Sequence, residues 1–340
     1  MPGGVRKNPK FGLIFGNQTN IFNKYVSGSG VGSLNRSVRR ALNRNAAFSM
    51  NLNVKKTPNK PNSYPMIGIC SAYPPELITL YNKFNVYKGE FVSTTIKGLT
   101  FWKGMYKDKF EILLFRTGTS IVNATYQLQL ALDNFPIEKI IFAGVAGGIN
   151  PNLLIGDIVI PNQWAYHDEC DYLNPDNNNG YIISPSQDYY GNYGMIFFDD
   201  VKVIREGMSN FEKKEFFPVD EELLEIANNA VKKMEPIYKN NRKITVNIGG
   251  NGLSGSVFLD NASYRETIYN IWNANCVDME STALSHVAWV NKIPIIIIRS
   301  LSDLAGGQSG QNQIDENEYT VSEIAIVFLL NFIDELSLTY

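Results

Sequence analysis

Two acidic residues stand where two consecutive segments end: Glu280, in Val277-Asp278-Met279-Glu280-Ser281-Thr282-Ala283, and Asp303, in Arg299-Ser300-Leu301-Ser302-Asp303-Leu304-Ala305. Two carboxylates facing one pocket can divide the work, one accepting hydrogen bonds from a polyol while the other exchanges a proton. The chemistry implied is that of an enzyme acting on a sugar-bearing small molecule. Each residue also has a plainer reading. Asp303 fits an N-cap or a turn before Ala305-Gly306-Gly307, and Glu280 fits the start of a helix, where its charge favours the dipole.

The elements that must position this pair follow from periodicity. The first segment predicts a short strand running into a helix, with Ala283, Leu284, Val287 and Ala288 at helical spacing. Residues 294–298 predict a buried strand that delivers Ser302 and Asp303 to its carboxyl end. In an open α/β sheet, ligands bind at that end. Upstream, residues 66–70 read as a strand, followed by a helix after Pro75, strands over 91–97, 100–106 and 111–115, a helix over 123–132 and a strand over 139–143. Helices over 220–233, near 262–271 and over 318–335, with a strand over 243–248, complete an α/β pattern. We expect one domain with a central mixed β-sheet flanked by helices. Residues 167–217 are dense in Asn, Asp, Gly and Tyr with weak periodicity, and are expected to form a surface insertion.

The chain has 340 residues, of which 44% are hydrophobic, enough for a large core. Charge is unevenly spread. Residues 1–62 hold 11 of the 31 Lys and Arg and none of the 33 Asp and Glu, which leaves 20 basic against 33 acidic residues, or −13, for the rest. This basic low-complexity extension reads as a disordered, solvated arm. Its Arg36, Arg39, Arg40 and Arg44 are also suited to contact with a nucleic acid or another polyanion. The apolar patch at 11–15 is too short for a signal-peptide core. No run approaches a membrane span, and no membrane partner is expected. Three cysteines without paired spacing, Cys70, Cys170 and Cys276, fit a reducing compartment. We expect an intracellular, soluble protein with no metal site and no cofactor.

Two glycine-rich stretches are unspecific on their own. Gly144, Gly147 and Gly148 follow a predicted strand and leave room for close approach of a ligand, but GxGxxG spacing is absent. Residues 249–255 read as a flexible loop. Neither His167 nor His286 accompanies a Ser or Cys nucleophile pattern, and neither is expected to be catalytic.

From about Tyr64 to the C-terminus the sequence resembles the nucleoside phosphorylase and nucleosidase superfamily, in particular the methylthioadenosine/S-adenosylhomocysteine nucleosidases and the plant bark storage proteins. The resemblance is carried by Ile67-Gly68-Ile69 with Glu76, by Ala143-Gly144-Val145-Ala146-Gly147-Gly148 continuing to Gly156-Asp157-Ile158-Val159, by Ser256-Val257-Phe258-Leu259, by Asp278-Met279-Glu280 and by Ser302-Asp303. The storage-protein branch is matched by the run from Val257 to Arg265 and by the run from Leu301 to Gly307.

The resemblance implies cleavage of an N-glycosidic bond through an oxocarbenium-like transition state. Asp303 would protonate purine N7, and its acidity must be lowered to do so, by burial beside Leu301, Leu304 and Met279. Glu280 would accept hydrogen bonds from the ribose hydroxyls, and Met279 would pack beneath the sugar. Phe258 would stack on the base, although core packing is its plainer reading. Leu259 would read the base edge through its backbone, and Glu76 would orient and deprotonate water. Ser302, Ala146 and Gly147 complete the implied substrate pocket. A homo-oligomer is implied as well.

A phosphate nucleophile needs cationic and hydroxyl donors. The stretch Phe142-Ala143-Gly144-Val145 lacks those that many phosphorylases carry, and Arg116 and Thr117 are the nearest substitutes. Water is therefore favoured. Val145 stands where nucleosidases have a small hydroxyl and Gly306 where an acidic residue is usual, while Pro74 and Pro75 bear on the direction of Glu76. Three readings remain open: a purine nucleosidase, a phosphorylase, and a storage or structural protein with a weak or inactive site.

Overall fold

The computed structural model describes residues 64–86 and 90–340. The expected basic extension at 1–62 lies outside them. Chain order begins with β1 (Met66–Ser71), α1 (Pro74–Lys83), β2 (Val92–Ile96), β3 (Leu99–Tyr106), β4 (Phe110–Arg116), α2 (Ile121–Asn134) and β5 (Ile137–Gly148). It continues with β6 (Ile158–Ile160) and β7 (Gln163–Tyr166). Five short strands follow within 167–217: β8 (Cys170–Tyr172), β9 (Asn192–Tyr193), β10 (Ile196–Phe198), β11 (Val201–Val203) and β12 (Glu212–Lys214). The chain then forms β13 (Phe217–Pro218), α3 (Glu221–Lys233), β14 (Tyr238–Lys239), β15 (Arg242–Lys243), β16 (Val246–Ile248) and β17 (Asn251–Ser254). Helix α4 (Ala262–Trp272), β18 (Ala274–Asp278), α5 (Ser281–Asn291), β19 (Ile295–Asp303) and α6 (Ile314–Leu336) complete it.

The central sheet is mixed. Its order is β13-β7-β17-β18-β5-β1-β4-β3-β2, and β19 pairs in parallel with β5 and antiparallel with β6. Both β1 and β19 are buried at every residue, as expected of strands covered on two faces by helices. One face carries α1, α3 and α6, whose Leu80, Leu223, Ile324, Phe328 and Phe332 pack on Ile67, Ile69, Ile296 and Ile298. The other carries α2 and α5, whose Leu128, Ala131, Leu284 and Ala288 pack on Leu113, Ile140, Phe142 and Ile297. No helix among the described residues is long and apolar enough to cross a membrane.

Three segments differ from the sequence reading. Strand β5 continues through Gly144 to Gly148 rather than ending at Ala143, because its last two residues pair with Val277 and Cys276 of β18. Residues 251–254 are not loop but strand, pinned between β7 and β18. There a Cβ on Gly252 would come within 2.6 Å of the Trp164 ring, so glycine lets the indole lie flat on the sheet. The third is the segment 167–217, which does more than decorate the surface. Its Phe198 is buried, with its ring 4.9 Å from that of Trp272 on α4.

Candidate active site

The carboxyl ends of β1, β5, β18 and β19 open into a cavity of about 300 Å³. All nine residues singled out from the sequence line it: Glu76, Ala146, Gly147, Phe258, Leu259, Met279, Glu280, Ser302 and Asp303. Its wall also includes Ala72, Tyr73, Thr119, Val145, Val257, Val277, Asp278 and Ile314, which were not among the nine.

Glu76 sits at the third residue of α1, and the two prolines before it begin the helix without costing a hydrogen bond, since the first helical N–H groups have no partner within the helix. Its Oε2 accepts from the backbone N–H groups of Ala72 and Tyr73 at 2.9 and 2.8 Å, and its Oε1 from that of Val145 at 2.8 Å. Pro74 and Pro75 thus help fix the carboxylate toward the cavity. Burial raises its pKa, while Arg299 and the three amides pull the other way. A carboxylate with raised basicity, held without freedom to turn, suits a general base.

Glu280 begins α5. Its Oε1 accepts from the Ser120 amide at 2.7 Å, a donor presented by the left-handed backbone of Ser120 at φ 77°. Burial first, and then the neighbouring Asp278 carboxylate, push Glu280 up to about 8, against the pull of Arg299. Asp278, two residues before the N-cap Glu280, satisfies the first amides of this helix. It accepts from the amides of Glu280 and Ser281 at 3.1 and 3.0 Å, from Ser254 Oγ at 2.6 Å and from Ser281 Oγ.

The residue the sequence reading missed is Arg299. It is fully buried in β19, with its guanidinium 2.7 Å from Asp278, 3.5 Å from Glu280 and 3.7 Å from Glu76. The cation also lies 3.9 Å from the centre of the Phe142 ring. Three carboxylates thus surround one guanidinium, and retaining a proton on one of them reduces the buried excess of negative charge. Such crowding requires Gly144, where a Cβ would fall 2.2 Å from Glu76 Oε1 and 2.4 Å from Arg299 Nη1. A lone Arg directly after the apolar run 295–298 was the available signal in the sequence.

Asp303 ends β19, buried. Its Oδ2 accepts from Ser302 Oγ at 2.8 Å, and its Oδ1 from the Ala305 amide at 2.8 Å and from Asn312 Nδ2 at 3.1 Å. Phe258 departs from its core-packing reading. It is 54% exposed at the rim of the cavity, because the residues after β17 turn out of the sheet and leave no hydrophobic layer for it to enter. Arg116 is exposed and Thr117 donates to backbone carbonyls of Ser71 and Gly118; neither lines the cavity. His167 is buried, 3.1 Å from the Tyr264 hydroxyl, and His286 stacks on Phe217 with the ring centres 4.2 Å apart. Both lie outside the cavity wall.

The mixed sheet thus brings three carboxylates, Glu76, Glu280 and Asp303, to one cavity. Residues 66–334 match the phosphorylase superfamily, and the chain belongs to that family. It is 28% identical over 268 residues to a 5'-methylthioadenosine/S-adenosylhomocysteine nucleosidase of Staphylococcus carnosus, covering 78% of this chain and 99% of that protein. Among solved structures, it is similar to the Helicobacter pylori nucleosidase of the same name, in a mutant form with 5'-methylthioadenosine in the active site. The TM-score is 0.60 at 22% identity, covering 80% of this chain and 99% of that one. Futalosine hydrolase of Helicobacter pylori is also similar, with a TM-score of 0.59 at 21% identity over 80% of this chain and 98% of that one. At these identities the solved structures show the fold.

Proposed function

We propose that the protein is a purine nucleosidase, hydrolysing the N-glycosidic bond of a nucleoside such as methylthioadenosine, S-adenosylhomocysteine or adenosine. The observation that carries this reading is the convergence of Glu76, Glu280 and Asp303 on one cavity whose wall contains no Lys or Arg among the described residues. Such a wall favours a neutral sugar and water over a phosphate anion. In this reading Asp303 donates a proton to the base as the glycosidic bond breaks. Glu280 and Met279 hold the ribose, and Phe258 and Leu259 hold the base. Glu76 takes a proton from water, which adds to the sugar carbon. Val145 supplies a backbone amide that orients Glu76. Homo-oligomerisation and polyanion contact through residues 1–62 belong to the same reading. Light scattering tests the first, and salt-dependent binding with and without those residues tests the second.

The decisive experiment measures adenine release from the three nucleosides with and without phosphate, for the wild type and Asp303→Asn. Phosphate-independent release that falls by about 10²- to 10⁴-fold in the variant is expected. Release that requires phosphate would replace the nucleosidase with a phosphorylase, and no release from any of them would favour a storage or structural protein.

A further inference from the structure

Between β19 and α6 the chain runs from one residue of the cavity wall, Asp303, to another, Ile314, and one side chain in this loop is held at both ends. Asn312 Oδ1 accepts from the Ile314 amide at 2.9 Å, which fixes the orientation of the side-chain amide and leaves Nδ2 as the donor. Nδ2 reaches two carboxylates: Asp303 Oδ1 at 3.1 Å and Asp260 Oδ1 at 3.2 Å. Gln308 Nε2 also donates to Asp260 Oδ1, at 2.7 Å, while Gln308 Oε1 accepts from the Gly306 amide at 3.2 Å. The loop can lie this close only because residue 306 is glycine. Its φ is 91°, and a Cβ there would fall 2.3 Å from the Asn261 nitrogen. One amide therefore ties together the end of β19, the segment that carries Phe258 and Leu259, and the helix start that presents Ile314 to the cavity.

We propose that Asn312 is a positioning residue for proton donation by Asp303, an inference that rests on the nucleosidase reading. Oδ1 of Asp303 faces two N–H donors, from Ala305 and Asn312, so it is held as an acceptor. The transferable proton is thereby assigned to Oδ2. Among the described residues the only side-chain partner of Oδ2 is the Ser302 hydroxyl, which can turn its own hydrogen to the Ala146 carbonyl 3.2 Å away. In the reaction this proton leaves Oδ2 for the purine as the N-glycosidic bond breaks and its electron pair passes to the base. Asp303 is left as a carboxylate with all three donors in place. Without Asn312 the carboxyl can rotate, and either oxygen can carry the proton in a direction that does not meet the base.

The test compares the wild type, Asn312→Ala and the isosteric Asn312→Asp on two substrates. One is methylthioadenosine, whose base must be protonated to leave; the other is p-nitrophenyl β-D-ribofuranoside, whose leaving group departs without a proton. The expected result for both variants is a fall of roughly 10- to 100-fold in kcat for methylthioadenosine, with KM within about threefold and p-nitrophenolate release within about threefold of wild type. Equal losses on both substrates would make Asn312 a structural clasp, and unchanged rates on both would remove its role; either result overturns the inference. Should Asn312→Ala lose its cooperative melting transition, Asn312→Asp is judged by the same split. A wild type that cleaves neither substrate overturns the nucleosidase reading itself, and this inference with it.

Discussion

The floor and the rim of the cavity are built on opposite principles. At the floor, Glu76 and Glu280 come from two helix starts, Asp278 from the end of β18 and Arg299 from the middle of β19; all are buried and hold one another through charge and backbone amides. At the rim, Phe258 and Val257 are exposed, and the loop between β19 and α6 is held by the amides of Gln308 and Asn312 on Asp260. The floor cannot be altered without disturbing the fold, because its groups are also the internal counter-ions of the sheet. The exposed Val257 and Phe258 carry no such charge network, so substitutions at those two positions can shift substrate preference while leaving the floor intact.

The sharpest way to break this contrast is Arg299→Met. Removing the one cation leaves three carboxylates buried without it, and we expect a loss of about 3–5 kcal/mol in urea unfolding, with activity abolished. A variant as stable as the wild type would mean the floor is not a structural unit. Glu280→Gln should act more narrowly, lowering kcat/KM by about 10- to 100-fold, because the amide NH2 cannot accept a hydrogen bond and leaves a ribose hydroxyl unpaired at a cost of about 1–3 kcal/mol. It should also change how stability depends on pH. The Glu280 pKa is raised from an ordinary 4.5 to about 8 by burial, so its contribution is fully present below about 4.5 and is lost as pH rises through about 8. Denaturation midpoints of the wild type should therefore fall between pH 5 and pH 8 more than those of the variant, and parallel curves would count against a protonated Glu280. The smallest effect belongs to the rim. Phe258→Ala should leave stability within about 0.5 kcal/mol while raising KM about tenfold, since stacking on a base contributes about 1–3 kcal/mol. A drop in melting temperature with unchanged KM would place Phe258 in the core after all.

How far this site could be read in advance depended on whether a residue's role is local. Glu280 and Asp303 were legible because each ends an element whose periodicity is visible in its own sequence, and Glu76 because the resemblance fixed its place. Arg299 was not, because what makes a buried cation tolerable is a set of partners at positions 76, 278 and 280, none of them within the same strand. The lengths of β5 and β17 were misjudged for a similar reason. Glycines at 144, 147, 148 and 252 lower intrinsic strand preference, and only pairing with neighbouring strands recovers it. Asn312 and Gln308 carry no such signal, since nothing near them in sequence announces that Asp260 and Asp303 lie across from them.

The position of β19 sets the timetable of assembly. It lies between β5 and β6, joining parts of the sheet that precede it by more than a hundred residues, and it carries both Arg299 and Asp303. A chain emerging during synthesis can form β1 through β5 early, yet the sheet is left open at its middle until residue 295 and beyond have been made. Such late, long-range pairing is slow compared with local folding. The edge of β5 that β19 covers is left unpaired for most of translation, and the cavity gains Asp303 only at the same moment that edge is closed.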